Sequence, residues 1–209
     1  MRGPILSDLD KIARKVSHVQ HGFKEMREEA SAVVETSSPA KSLQTAKNLY
    51  SSDKHQMRMV AVFVLGFIAV VSPEAIAFLR SKVSKDDSWQ VQEILAQAFN
   101  EYCKSLGYES AVPVIKDWLS DANPNVRRAV TEGLRIWNQR DYFRENPRLA
   151  IHLLAGLRND ESEYVRRSVG NALRDISRKE KTLVRTELST WDKSNPKVAQ
   201  THELASKFL

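Results

Sequence analysis

A stretch of fifteen residues, Asp121 to Arg135 (DANPNVRRAVTEGLR), returns 39 positions later as Asp160 to Arg174 (DESEYVRRSVGNALR). Val126, Arg127, Arg128, Val130, Leu134 and Arg135 fall on Val165, Arg166, Arg167, Val169, Leu173 and Arg174. Each copy opens on polar residues suited to helix capping, and Pro124 suits a first helical turn because the N–H it lacks has no partner there. The valines and leucines then recur at helical spacing and mark a buried stripe, with the arginines outside it. Asp86 to Phe99 fits the same frame, with Val91, Leu95 and Phe99 in the apolar places and Glu93 where the other copies carry their second arginine. Met57, Ala61 and Leu65 fit upstream, with Arg58 in the arginine pair, and Asn195-Pro196-Lys197-Val198 repeats the Asn123-Pro124-Asn125-Val126 corner. An all-helical self-similarity of this period predicts an all-α solenoid of about five antiparallel helix pairs, a right-handed superhelical array with a concave basic face.

The 209 residues are expected to form one repeat domain, with cap helices over 1–36 and helix pairs over 37–209. Leu6, Leu9, Ile12 and Val16 share a face; Gly22 breaks the pattern, and Phe23, Met26, Ala30 and Val33 resume it. The first helix of each pair is expected over Ala40–Tyr50, from Ser72 through about Val83, over Glu109–Leu119 and from Pro147 to about Leu157. Their partners are His55–Val70, Trp89–Ser105, Asn125–Trp137 and Ser162–Ser177, with a fifth pair at Thr182–Trp191 and Val198–Phe208. Residues Asn138 to Asn146 read as a longer connection, and no segment reads as a strand. Trp118, Trp137 and Trp191 read as packing residues.

A single cysteine, Cys103, cannot close an internal disulfide, and a reducing, cytoplasmic setting is expected. The segment after Arg2 has no uninterrupted apolar core, so no signal peptide is expected. The most apolar run, Met59 to Val71, is too short for a membrane span and suits a buried helix. His18 and His21 lack acidic or cysteine companions at ligand spacing, so neither metal nor cofactor is expected.

A net charge of +6 and a pI near 9.4 favour an anionic partner. Arg58, Arg127, Arg128, Arg166, Arg167 and Lys197 fall at or near equivalent repeat positions, where a stripe of cations would meet the phosphates of double-stranded DNA. The same arginines could instead brace the corners between repeats through Asp121 and Asp160. Trp89 and Glu93 share a helix face at i,i+4 spacing. An indole face attracts cations, and a carboxylate stabilises positive charge. The bland alternative is that Trp89 packs at a helix start and Glu93 forms a structural bridge with Arg128.

Over residues 50 to 190, and above all in Ser88-Trp89 with Glu93, Val126-Arg127-Arg128-Ala129, and Tyr164 through Arg174, the chain resembles bacterial DNA alkylation repair glycosylases of the AlkD type, built from HEAT-like repeats. The resemblance implies release of cationic N-alkylated purines such as 3-methyladenine or 7-methylguanine. It implies Trp89 and Glu93 as catalytic residues at the damaged nucleotide and Arg128 on the DNA backbone, in a monomer acting on DNA away from any membrane. Active members of that family carry aspartate at the position of Glu93 and a second aromatic at the position of Asn171. The lesion-flanking walls here thus reduce to Trp89, helped by Tyr164. A non-catalytic HEAT-like DNA-binding module and a protein-interaction scaffold are the alternatives.

Overall fold

A computed structural model describes residues 8–209, so Leu6 and Ser7 of the first expected helix lie outside the described residues. The chain divides into two compact units at the Ser105–Leu106 junction. The first contains α1 (Asp8–Val16), α2 (Lys24–Glu35), α3 (Pro39–Tyr50), α4 (His55–Ile68), α5 (Pro73–Ser81), a 3-10 turn (Val83–Lys85) and α6 (Trp89–Leu106). The second contains α7 (Tyr108–Leu119), α8 (Pro124–Gly133), a 3-10 turn (Trp137–Gln139), α9 (Asp141–Glu145), α10 (Pro147–Ala155), α11 (Glu163–Ser177), α12 (Lys181–Ser189) and α13 (Pro196–Ala205). No strand occurs among the described residues.

Local chemistry sets the helix starts. Proline opens α3, α5, α8, α10 and α13, where its fixed φ suits the first turn. Ser38, Ser72, Asn123 and Asn195 precede four of these prolines and accept a backbone N–H of the first turn through their side chains. Gly22, at φ +85°, supplies the left-handed residue that turns the chain from α1 into α2.

The apolar run of α4 forms the centre of the first unit. Val60 through Leu65 are all buried, and α1, α2, α3 and α5 pack around them. Gly66 admits α6 closely, since a Cβ there would lie 2.7 Å from the backbone of Ala98. In the second unit α11 is the corresponding element, between α8 and α13. Val165, Val169 and Leu173 are fully buried, as are Val126 and Val130 on α8 and Val91 and Leu95 on α6, so the repeat frame is the core frame. Ser168 Oγ and Thr131 Oγ1 bridge α11 and α8 at 2.7 Å, satisfying two buried hydroxyls with one bond. Trp118, Trp137 and Trp191 are buried.

Three features depart from the sequence expectation. The helix expected to run to Trp137 stops at Gly133, and Ile136 takes a left-handed conformation at φ 57°, ψ 51°. For a β-branched residue this costs about 1–2 kcal/mol. The bend delivers Trp137 into the core, edge-on to Phe143 at 4.8 Å, and burial of that ring pair outweighs the strain. The connection from Asn138 to Asn146 is itself helical, through the 3-10 turn and α9. Phe23, read as one of a buried stripe, is 42% exposed.

Candidate functional site

The start of α6 is built by the corner before it. Asp86 Oδ1 accepts the Ser88 N–H at 2.9 Å, and the Ser88 hydroxyl bonds Gln90 at 2.8 Å. From the second turn, Gln92 Nε2 donates back to the Val83 and Asp86 carbonyls at 2.9 and 2.8 Å. Asp86 also takes Arg58 through both carboxylate oxygens, at 2.8 and 3.0 Å, and the Tyr50 hydroxyl at 2.9 Å. Burial pushes the Asp86 carboxyl up, but the bonds from Arg58, the Ser88 N–H and Tyr50 outweigh it and hold the group below the ordinary carboxylate value. Burial and the bond to Asp86 push the Tyr50 hydroxyl well above its ordinary value.

On this fixed corner Trp89 stands 70% exposed, which removes the reading of it as a packing residue. Glu93, one turn on, lines with Trp89 a cleft of about 310 Å³. Buried Met26, Met59 and Ile94 give the cleft apolar surface, and Gln20, Gln56, Gln90 and Gln97 bring amides to it. The turn between α1 and α2 contributes His21, Gly22 and Phe23. That turn is tied to α4, since Gln56 Nε2 donates to the Val19 carbonyl at 3.1 Å. The arrangement suits a flat, cationic aromatic group: apolar surface for its faces, an indole and a carboxylate for its charge.

The expected DNA-contacting cations divide sharply. Arg127 lays its guanidinium on both Asp160 oxygens at 2.7 Å and on the Asp121 and Ala122 carbonyls at 2.7 and 3.0 Å. Arg58 does the same with Asp86 and the Ser52 and Asp53 carbonyls. Arg166 bonds Gln200 at 2.8 Å and the Asp160 and Glu161 carbonyls at 2.6 and 3.0 Å. These three guanidinium groups are committed to corners, contrary to their expected place in a phosphate-facing stripe. The physical reason is that each corner presents otherwise orphaned carbonyls beside a buried acceptor, and the planar fork satisfies them together. Arg167, by contrast, is 61% exposed, with Glu163 at a loose 3.7 Å. Lys197 meets exposed Glu161 at 2.5 Å, a contact of little energetic weight in water. Arg128 is half-buried on α8, Tyr164 is exposed at the start of α11, and Asn171 is half-buried one turn beyond Arg167.

Cys103 is buried, and burial pushes its thiol up to about 12, so it has no nucleophilic role at neutral pH. Among the described residues no group of three or more His, Cys, Asp or Glu side chains could hold a metal ion. Nor, among them, is any helix long and apolar enough to cross a membrane.

A family model for the DNA alkylation repair enzyme matches residues 14–202. The chain belongs to that family. AlkD2 from Streptococcus mutans superimposes with a TM-score of 0.94 at 46% identity, over 97% of this chain and 99% of that one. The smu.31 protein from Streptococcus mutans UA159 gives 0.91 at 44% identity, over 97% and 100%. The Pseudomonas fluorescens alkylpurine DNA glycosylase AlkC, bound to DNA containing an abasic site analog, shares the fold at 23% identity and a TM-score of 0.51, over 95% of this chain and 61% of that one. An uncharacterized Bacillus subtilis (strain 168) protein, YhaZ, is 29% identical over 121 residues, 52% of this chain, and the match spans about a third of that longer relative. The family thus carries the all-α helix-pair fold seen here. Of the cleft, the sequence pattern pointed to Trp89 and Glu93 and missed His21, Phe23, Gln56 and Met59. Those four lie 30 or more positions away along the chain, and the one available signal was Gly22 between two amphipathic runs.

Proposed function

We propose that this family member binds double-stranded DNA at alkylation damage, as a cytoplasmic monomer, and releases cationic N-alkylated purines such as 3-methyladenine and 7-methylguanine. The observation that carries the reading is the exposed Trp89 with Glu93 one turn on, at a cleft with apolar walls. The alkylated base already bears a positive charge, so no acid is required to make it leave. The bond from sugar C1′ to purine N9 breaks, and its electron pair passes to the ring, which departs neutral. Positive charge moves to the sugar, where the Glu93 carboxylate stabilises it and orients water. Water adds at C1′ and its proton passes to the carboxylate and then to solvent. Arg128, Arg167 and Lys197 contact phosphates in this reading, and Tyr164 and Asn171 lie beside the damaged strand. Arg58, Arg127 and Arg166 hold the corners that position those contacts.

Asn171 favours a second reading, a DNA-binding module that does not release base, because it stands where the resemblance calls for an aromatic wall. Incubation with methylated duplex DNA and analysis of the released bases separates the two. Release of 3-methyladenine or 7-methylguanine above the spontaneous rate supports the first reading. Salt-dependent binding without release selects the second, and no binding to either damaged or undamaged duplex removes both.

A further inference from the structure

The turn between α8 and α9 gathers nitrogen donors that the protein itself does not satisfy. The Trp137 Nε1–H, the Asn138 Nδ2–H and the Arg140 Nε–H are all buried without a hydrogen-bond partner within the protein. Trp137 is 0% and Asn138 4% exposed, so bulk water does not serve them. A buried donor left unmatched carries its full desolvation penalty, and native proteins rarely cluster several in one short segment. Trp137 opens the 3-10 turn and Arg140 closes it, three positions on, a spacing at which side chains eclipse and share one side. One aromatic cluster holds both: Trp137 packs on Phe143 at 4.8 Å, Phe143 on Tyr108 at 6.1 Å, and the Arg140 guanidinium lies over Tyr108 at 6.0 Å. The charge of Arg140 is unmatched as well. The adjacent carboxylate, Asp141, is turned to Arg144 at 2.8 Å, and among the described residues no ion pair includes Arg140.

We propose that this turn is a binding site for a small monovalent anion, a halide such as chloride, held by the N–H groups of Trp137, Asn138 and Arg140. The three orphaned side-chain atoms are all donors, and one belongs to a cation. A water molecule would have to place two protons of its own, whereas a halide accepts several hydrogen bonds and places none. A divalent phosphate is disfavoured, because stripping its water costs far more than a single guanidinium returns. The bound anion neutralises Arg140 and fixes the turn just after Ile136, whose left-handed backbone is strained. None of these residues belongs to the α6 cleft.

Crystals of the full chain soaked in sodium bromide give the direct readout, because bromide scatters anomalously and water does not. An anomalous peak within hydrogen-bond reach of all three nitrogens is expected. In solution, the melting temperature of the wild type should rise and saturate with sodium chloride or bromide. The reference is sodium gluconate at equal ionic strength, whose anion is too large for a buried turn. Arg140→Lys keeps the charge and loses the Nε–H, so the halide concentration at half effect should rise about tenfold, the scale of one lost charge-assisted hydrogen bond. Asn138→Asp is nearly isosteric and sets a fixed carboxylate beside Arg140 in place of the anion. Its melting should be independent of halide and, without halide, should lie above that of the wild type. A bromide at the donors with no saturable effect in solution would be an adventitious ion only and would overturn the proposal. So would crystals without a bromide peak at the turn, or a halide response in both variants equal to that of the wild type.

Discussion

Helices α6 and α11 begin alike and then diverge. Each follows an aspartate whose carboxylate accepts the N–H of a serine two residues on, Asp86 to Ser88 at 2.9 Å and Asp160 to Ser162 at 2.8 Å. Each then returns a side chain to two backbone carbonyls of its own corner, Gln92 in α6 and Arg166 in α11. Arg166 has donors to spare and reaches Gln200 on α13. Gln92 stops at its own corner, with its amide oxygen buried and unbonded within the protein. The next position carries Glu93 in α6 and Arg167 in α11, and α6 contains no arginine at all. One repeat frame therefore serves two purposes. In α11, which carries paired arginines, Arg166 locks the corner and Arg167 faces outward. Where the corner is held by a neutral amide, the helix start carries an exposed indole and a carboxylate.

The largest effect expected from this contrast is on stability. Arg127→Ala leaves Asp160, whose side chain is 4% exposed, as a buried charge without its main partner. The loss should be about 3–5 kcal/mol in urea unfolding. A wild-type midpoint would show that the guanidinium is not a brace. Acid should act next on the same architecture. The Asp86 carboxyl is depressed in the fold, so its contribution is present above the unfolded value of about 4 and is lost as pH falls through the folded value. Melting temperature against pH should drop on that limb in the wild type and more shallowly in Asp86→Asn. Parallel curves would mean that Asp86 binds protons equally in both states. Gln92→Ala removes neutral bonds only and should cost about 1–2 kcal/mol, well below Arg127→Ala. Equal losses would erase the distinction between charged and neutral corners.

The smallest effect concerns DNA. Arg128→Ala and Arg167→Ala should each flatten the slope of log affinity against log salt by about one unit. Retention of the full slope in both variants would reassign these two arginines to the corners as well.

The core was legible in the sequence because its signal is periodic: Val91, Val126 and Val165 occupy one frame and all are fully buried. The break after Gly133 was not, since Leu134, Ile136 and Trp137 extend the apolar pattern, and the left-handed Ile136 is set by where Trp137 and Phe143 pack. The arginine pair was visible as a pair, but which member turns inward depends on carbonyls at the preceding corner, which a residue pattern does not display. Half of the candidate site was legible for the same reason. Trp89 and Glu93 are one helical turn apart, whereas Phe23 and Met59 meet them only through packing around α4.

Single-turnover release of 7-methylguanine from duplex DNA by wild type and Glu93→Gln tests most directly the proposed role of Glu93 at the α6 cleft. The amide is nearly isosteric, so folding and DNA affinity should persist, and affinity should rise slightly as repulsion from phosphate disappears. Release should fall by about two orders of magnitude, the scale of losing a transition-state charge partner. Equal release by both proteins would contradict the claim and place the chemistry elsewhere. Tight, salt-dependent binding by both with no release by either would make the cleft a recognition site without excision.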